Sequence, residues 1–308
     1  MLWIAAWALY TLSIAVNIYV QSFEQIDNEL IRLLVEIVFD GAIGYILIAV
    51  MVGYYGYCEK SNTLKLIICY SPFLLYSLFA HIARVILFSV PIWDNWRKAL
   101  FPLPYECYGR ITVLVLVAIC GEFIHRLVDA LEQKECLKLM GIMFAIWCVW
   151  PTFLGGDMYG LDVGVTLFAY VLGCYVAKYE ELLPARQSWY VYGSIGLSLL
   201  VVLGTFGLEQ ATQYMRVNVL ALVNMTSPVL YLWVFCMMMA ARRKNVSRVG
   251  NGMASLCMGA FAIYGHEVFS RSGKRLLCFF LIGITVEVIR IALVSWISKK
   301  RLIFRRRY

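Results

Sequence analysis

The chain has 308 residues, 62% of them hydrophobic and 15% charged, with a formal net charge of +8 and a mean hydropathy of +0.76. A soluble domain of this length carries roughly 45–50% apolar and about 25% charged residues, so the composition excludes a sizeable soluble domain. The apolar residues stand in long blocks, and a helix needs about 20 of them to cross the hydrocarbon of a bilayer. The sequence thus predicts an all-α integral membrane protein, a bundle of about ten transmembrane helices, with little chain left over.

The first block, MLWIAAWALYTLSIAVNIYV, lacks a basic leader and a small-residue cleavage site, and is read as a retained span. The expected spans are 1–20, 31–57, 64–90, 110–128, 138–155, 161–178, 188–207, 217–241, 253–267 and 276–298. No 20–50-residue period repeats along them, which argues against a solenoid. Lysine and arginine set the orientation, because cytoplasmic loops are enriched in both. With a cytoplasmic N-terminus, the inner segments hold Lys60, Lys65, Arg126, Lys134, Lys138, Lys178, Arg186, Arg242, Arg243, Lys244, Arg248 and the tail's Lys299, Lys300, Arg301, Arg305, Arg306 and Arg307, seventeen in all. The outer segments hold eight: Arg32, Arg97, Lys98, Arg110, Arg216, Arg271, Lys274 and Arg275. Both termini are therefore expected in the cytoplasm, which an even number of spans satisfies. The positive charge follows topology rather than nucleic-acid binding, and the tail 299–308 is expected to meet anionic lipid headgroups.

Ionisable residues inside apolar blocks cost at least about 2.5–3.5 kcal/mol to insert and mark candidate sites. Glu36 and Asp40, four apart, share a helix face; they form an acid/base pair or lie in the outer headgroup region. His81 and Arg84 share a face; Arg84 either binds an anionic group or pairs with an acid such as Glu36 or Asp40. Glu122, His125 and Arg126 approach the cytoplasmic end of a span. Glu122 and Arg126 stand in the favourable order for an ion pair, which points to a self-satisfied helix end. Glu287 and Arg290 are placed to neutralise each other within the last span. His266 and Glu267, in FAIYGHE, end a span at the outer surface. Histidine is a general acid/base near neutral pH, although adjacent helical residues point apart.

Ten cysteines include no CxxC, and most sit singly in apolar blocks as small hydrophobes. Three scattered histidines offer no metal-ligand spacing. No HExxH, P-loop, GxSxG or GxGxxG stands in a suitable context.

Several segments together resemble the membrane acyltransferase 3 family, whose members O-acylate sugars of polysaccharides, lipopolysaccharide and similar acceptors. They are LIAVMVGYYGY followed by Lys60 and Lys65, LFPLPYECYGRITVLVLVAIC, DVGVTLFAYVLGCYVAKYE, MTSPVLYLWVFCMMM, MASLCMGAFAIYGHE and VEVIR, in the family's order from the second span to the end. The resemblance implies one acyltransferase-like domain over 1–308 in the inner or plasma membrane of a bacterium. It implies acyl-CoA, typically acetyl-CoA, as a donor substrate rather than a permanently bound cofactor, and a hydroxyl of a cell-envelope glycan as acceptor. Lys60, Lys65, Arg242, Arg243 and Lys244 would then attract the phosphates of coenzyme A, beyond their role in topology. The family's proposed base, a first-span histidine, falls at Asn17, and its basic residue eleven positions earlier falls at Ala6. Asparagine only hydrogen-bonds. Either His81 or His266, with Arg84 and Glu267 beside them, takes the catalytic role, or the chain is an inactive member acting as a binding or partner subunit. A membrane transporter is the rival class.

Overall fold

The computed structural model describes residues 42–58, 74, 77–79, 81–82, 85–86, 91, 93, 96–100, 110–154, 160–183, 186–212, 222, 224–241 and 288. Among these residues the structure is helical and contains no strand. The chain divides into two compact units, Met1–Leu66 with Arg110–Val246, and Ile67–Gly109 with Ser247–Tyr308.

The first unit contains α1 (Ala42–Cys58). The second contributes the short α2 (Trp96–Leu100), where Arg97 lies over the Trp96 ring at 5.8 Å. Its half-buried His81 stands in a helical stretch. The first unit resumes with α3 (Arg110–Ile119) and α4 (Gly121–Ala130). They are separated at Cys120, whose carbonyl accepts from both Phe123 and Ile124. Next come α5 (Gln133–Phe144), a five-residue π turn (Ala145–Val149) and α6 (Trp150–Leu154). Then follow α7 (Leu161–Lys178), α8 (Gln187–Thr212) and α9 (Pro228–Ala241).

Local chemistry fixes several of these ends. Glu132 and Glu135 form a reciprocal capping box at the start of α5, satisfying two amides that a helix leaves orphaned. Gly160, at φ 76°, enters α7 from the left-handed region, where a Cβ is strained. Pro228 opens α9 at the position where its missing N–H costs nothing.

Hydrogen bonds give the directions of the helices. Near the starts of α1, α3 and α7, the Tyr45 hydroxyl meets the Arg110 carbonyl at 2.9 Å and the Thr166 hydroxyl at 2.7 Å. Near their ends, the Tyr57 hydroxyl bonds to Asp129, and Lys178 donates to the carbonyls of Val128 and Leu131, both at 2.8 Å. So α1, α3–α4 and α7 run parallel, with about 18 Å of helix between the two polar layers at 1.5 Å per residue. The returning α5–α6 makes this possible. The Tyr231 hydroxyl donates to the Val165 carbonyl, so α9 also starts beside the start of α7. Gln187, opening α8, donates to the carbonyl of Ala240 near the end of α9, and Trp233 Nε1 meets Ser194 Oγ at 3.2 Å, so these two helices are antiparallel.

The core lies where α1 crosses α7. Tyr45 to Val50 of α1 and Val165, Phe168 to Tyr170 and Cys174 to Val176 of α7 are almost fully buried. Two glycines let the backbones touch. A Cβ on Gly53 would strike the Tyr170 carbonyl, and one on Gly173 would strike the Val50 carbonyl. Small residues are the usual means of such approach between helices in lipid.

Among the described residues three helices are long and apolar enough to cross a membrane: Gln133–Thr152, Leu161–Lys178 and Gln187–Leu208. Ala42–Cys58 and Pro228–Ala240 are apolar but shorter. The apolar stretch of α7 is 67% buried in protein and that of α8 only 11%, so α7 is a core helix and α8 turns Trp189, Ile195, Leu199 and Leu203 outward. We expect Gly53→Ala and Gly173→Ala each to cost about 1–3 kcal/mol by forcing the helices apart. Gly196→Ala, whose Cβ would meet nothing within 4 Å, is expected to be neutral or stabilising by up to about 1 kcal/mol. Reversible unfolding in mixed micelles compares the three.

Candidate functional site

The densest polar constellation among the described residues stands where α1, α4 and α7 end together. His125 is buried, and its Nε2 lies 3.0 Å from the Tyr170 hydroxyl. The two rings are stacked, 11° from parallel with centroids 5.9 Å apart, and Tyr57 meets the imidazole edge-on at 5.5 Å. Two glycines shape the slot. A Cβ on Gly56 would lie 3.0 Å from the Tyr170 hydroxyl, and one on Gly121 would collide with it. Tyr170 reaches this slot because its own backbone is pressed against Gly53.

Around this pair, the Tyr57 hydroxyl donates to the carboxylate of Asp129, one turn after His125. The Tyr54 hydroxyl donates to Glu180 Oε2 at 2.7 Å. Lys178 donates to the carbonyls of Val128 and Leu131, and of Asp129 at 3.2 Å; Tyr179 adds a fourth bond, to Leu131, at 3.1 Å. The last carbonyls of any helix lack partners and carry its negative dipole end. The ammonium of one helix therefore caps another. Two tyrosines of α1 hold acids at the same end, so the cluster gathers one histidine and two carboxylates bound by hydroxyls, and one lysine bound by backbone carbonyls.

This arrangement can hold an imidazole in fixed orientation. The Tyr170 hydroxyl both donates and accepts, so it serves either tautomer of His125. Glu122 and Arg126 form the expected ion pair at 2.6 Å, largely exposed on the surface of α4. Such a pair contributes only about 0.3–0.5 kcal/mol, and it leaves His125 to its partners on α1 and α7.

Of the residues singled out in sequence, His81 lies in the other unit. Asn17, Arg84, His266, Glu267, Lys60, Lys65, Arg242, Arg243 and Lys244 lie outside the described residues, as do Glu36, Asp40, Glu287, Arg290 and the basic tail. Tyr170, Tyr57, Asp129 and Lys178 were not singled out. Their signal is present in FAYVLGCYVAKYE, where tyrosines interrupt an apolar run. A buried tyrosine hydroxyl needs a partner, and the partner cannot be read from spacing. Of the six described cysteines, Cys136, Cys148 and Cys174 are buried, free thiols. Among the described residues, no group of three or more histidine, cysteine or acidic side chains stands together as a metal site.

No family model matches the chain, and neither a curated protein nor a solved structure matches it. What the coordinates define is a class: an all-helical chain, in its described residues, with three helices able to cross a membrane.

We expect Tyr170→Phe to destabilise the protein by about 1–3 kcal/mol, because it orphans a buried imidazole nitrogen. Removing both partners, as His125→Phe with Tyr170→Phe, is expected to cost less than the sum of the single changes. A double-mutant cycle on unfolding free energies reads this coupling.

Proposed function

We propose that the chain is a multi-pass O-acyltransferase-like protein of a bacterial inner or plasma membrane. It carries about ten spans with both termini in the cytoplasm, and moves an acyl group, typically acetyl, from acyl-CoA to a hydroxyl of an envelope glycan. The observation that carries this reading is the packing of the resembling segments. LIAVMVGYYGY and the helical parts RITVLVLVAIC and DVGVTLFAYVLGCYVAK of two further segments fold as neighbouring parallel helices, α1, α3 and α7, and MTSPVLYLWVFCMMM continues the cluster as α9. Segments scattered over the sequence thus build one core.

In this reading the loops holding Lys60, Lys65, Arg242, Arg243 and Lys244 attract the coenzyme phosphates, since their cations match phosphate oxygens. A base takes the proton of the acceptor hydroxyl as its oxygen attacks the thioester carbon, and the thiolate leaves. With asparagine at position 17, the three histidines, His81, His125 and His266, are the imidazoles available, and His125 is the one described in a fixed, buried setting. Arg84 supplies positive charge for the developing oxyanion, and Glu267 orients His266.

Asn17 favours a second reading, an inactive relative that binds the donor or a partner subunit. Acetyl analysis of envelope glycans separates the two. Deleting the gene is expected to lower O-acetyl content, restored by the wild-type chain and not by His125→Ala or His266→Ala, whichever carries the base. Unchanged acetylation on deletion, with acyl-CoA still bound by purified protein, selects the inactive relative. Unchanged acetylation with no acyl-CoA binding removes the acyltransferase reading altogether. Reporter fusions to the C-terminus check the orientation, which expects the cytoplasmic signal.

A further inference from the structure

The second polar layer, at the opposite end of α1 and α7 from His125, contains two hydroxyls that nothing among the described residues satisfies. Thr112 Oγ1 in α3 and Ser227 Oγ are buried and have no hydrogen-bond partner. Their neighbours differ. Tyr45, Thr166, Thr152, Thr226 and Tyr231 all have partners for their hydroxyls. A buried polar group left unpaired is costly, and such groups in folded proteins call for an explanation.

Ser227 is the more informative of the two. It immediately precedes Pro228, at the N-cap of α9, a helix of 14 residues. A serine there ordinarily turns its oxygen back to accept from the second or third amide of the helix. Ser227 does not. The Leu230 amide instead bonds to the Ser227 carbonyl at 3.1 Å, and Ser227 is wholly inaccessible. Pro228 has no N–H, and the next amide, on Val229, has no acceptor within a helix. The N-terminus of α9 thus offers an unpaired hydroxyl beside an amide that no carbonyl of its own helix can accept from, at its positive end. Thr152 holds the approach in place. Its hydroxyl reaches the Thr226 carbonyl at 3.0 Å and the Thr226 hydroxyl at 3.1 Å. This is the donor arrangement that helix N-termini present to anionic or carbonyl oxygens.

We propose that the N-terminus of α9, through the Ser227 hydroxyl and the Val229 amide, is a binding site for an acyl oxygen, the carbonyl of a thioester or ester or the carboxylate of a short-chain acid. The inference deepens the acyltransferase reading and rests on it for the thioester, though not for the carboxylate. In that reading the site receives the acyl end of the donor, which leaves His125, at the other end of α7, out of the chemistry and the base to His81 or His266, while coenzyme phosphates are held by basic loops elsewhere. Thr112 lies in the same polar layer and is not required.

Purified full-length protein in lipid nanodiscs tests this by titration with acetyl-CoA, coenzyme A and sodium acetate, with melting temperature recorded without ligand. The variants are Ser227→Ala and the conservative Ser227→Thr. In Ser227→Ala, acetyl-CoA and acetate are expected to bind about tenfold more weakly, the loss of one charge-assisted or polar bond. Coenzyme A binding is expected to be unchanged. The melting temperature without ligand is expected to hold or rise, because an unpaired hydroxyl has been removed, and Ser227→Thr is expected to restore binding. A fall in melting temperature with no change in affinity makes Ser227 a helix cap and overturns the proposal. Equal binding of acetyl-CoA and acetate by wild type and Ser227→Ala also overturns it. If wild type binds acetate in a Ser227-dependent manner but neither coenzyme form, the site stands and the acyltransferase reading falls. If wild type binds no probe, both fall.

Discussion

Everything described in the first unit depends on the close approach of α1 and α7 at Gly53 and Gly173. In a bilayer no hydrophobic force drives helices together, because lipid tails are as apolar as leucine. Association must come from dispersion contacts, which fall off within a fraction of an ångström. Removing two Cβ atoms brings backbone onto backbone, and the buried faces of Tyr45–Val50 and Val165–Val176 close around that contact. The Cys174 thiol, 3.5 Å from the Gly53 carbonyl, fits in the same seam. The approach also sets the reach of Tyr170. Its ring passes α1 into the Gly56–Gly121 slot and meets His125 there, so the packing contact and the polar site are one feature.

Most polar side-chain contacts among the described residues of these parallel helices fall at two levels. One holds Tyr45, Thr166 and the Arg110 carbonyl; the other holds Tyr54, Tyr57, Asp129, Lys178 and Glu180. The stretch between them on α1 is apolar and buried. Two separated sets of hydrogen bonds fix both rotation and axial register, which apolar packing alone leaves degenerate. A slip of α7 by one residue would break Thr166 from Tyr45 and Lys178 from the end of α4 together.

Much of the helical order was legible in sequence because apolar blocks are long and their ends are chemically marked. The expected 161–178 coincides with α7, bounded by Gly160 and by the lysine at its end. The expected 188–207 falls inside α8, and 217–241 contains α9, whose start is set by Ser227 and Pro228 rather than by hydropathy. The span expected at 110–128 is divided at Cys120. No proline and no run of turn residues marks that break in the sequence. The Glu122–Arg126 pair was readable from i, i+4 spacing. The His125–Tyr170 pair was not, because its partners are 45 residues apart and meet only through two glycine contacts. Its members were visible as polar residues in apolar runs, without any indication of which would meet.

The lysine that ends α7 caps a helix made long before it. Leu131 leaves the ribosome 47 residues ahead of Lys178. Until the lysine follows, the carbonyls at the end of α4 have only water to bond, and water is absent from the hydrocarbon. The turn between α4 and α5 thus has its carbonyls satisfied only once α7 is in place. Arrival of the ammonium completes that turn at the moment α7 docks on α1. The core helix thereby closes a corner that the earlier pair leaves open.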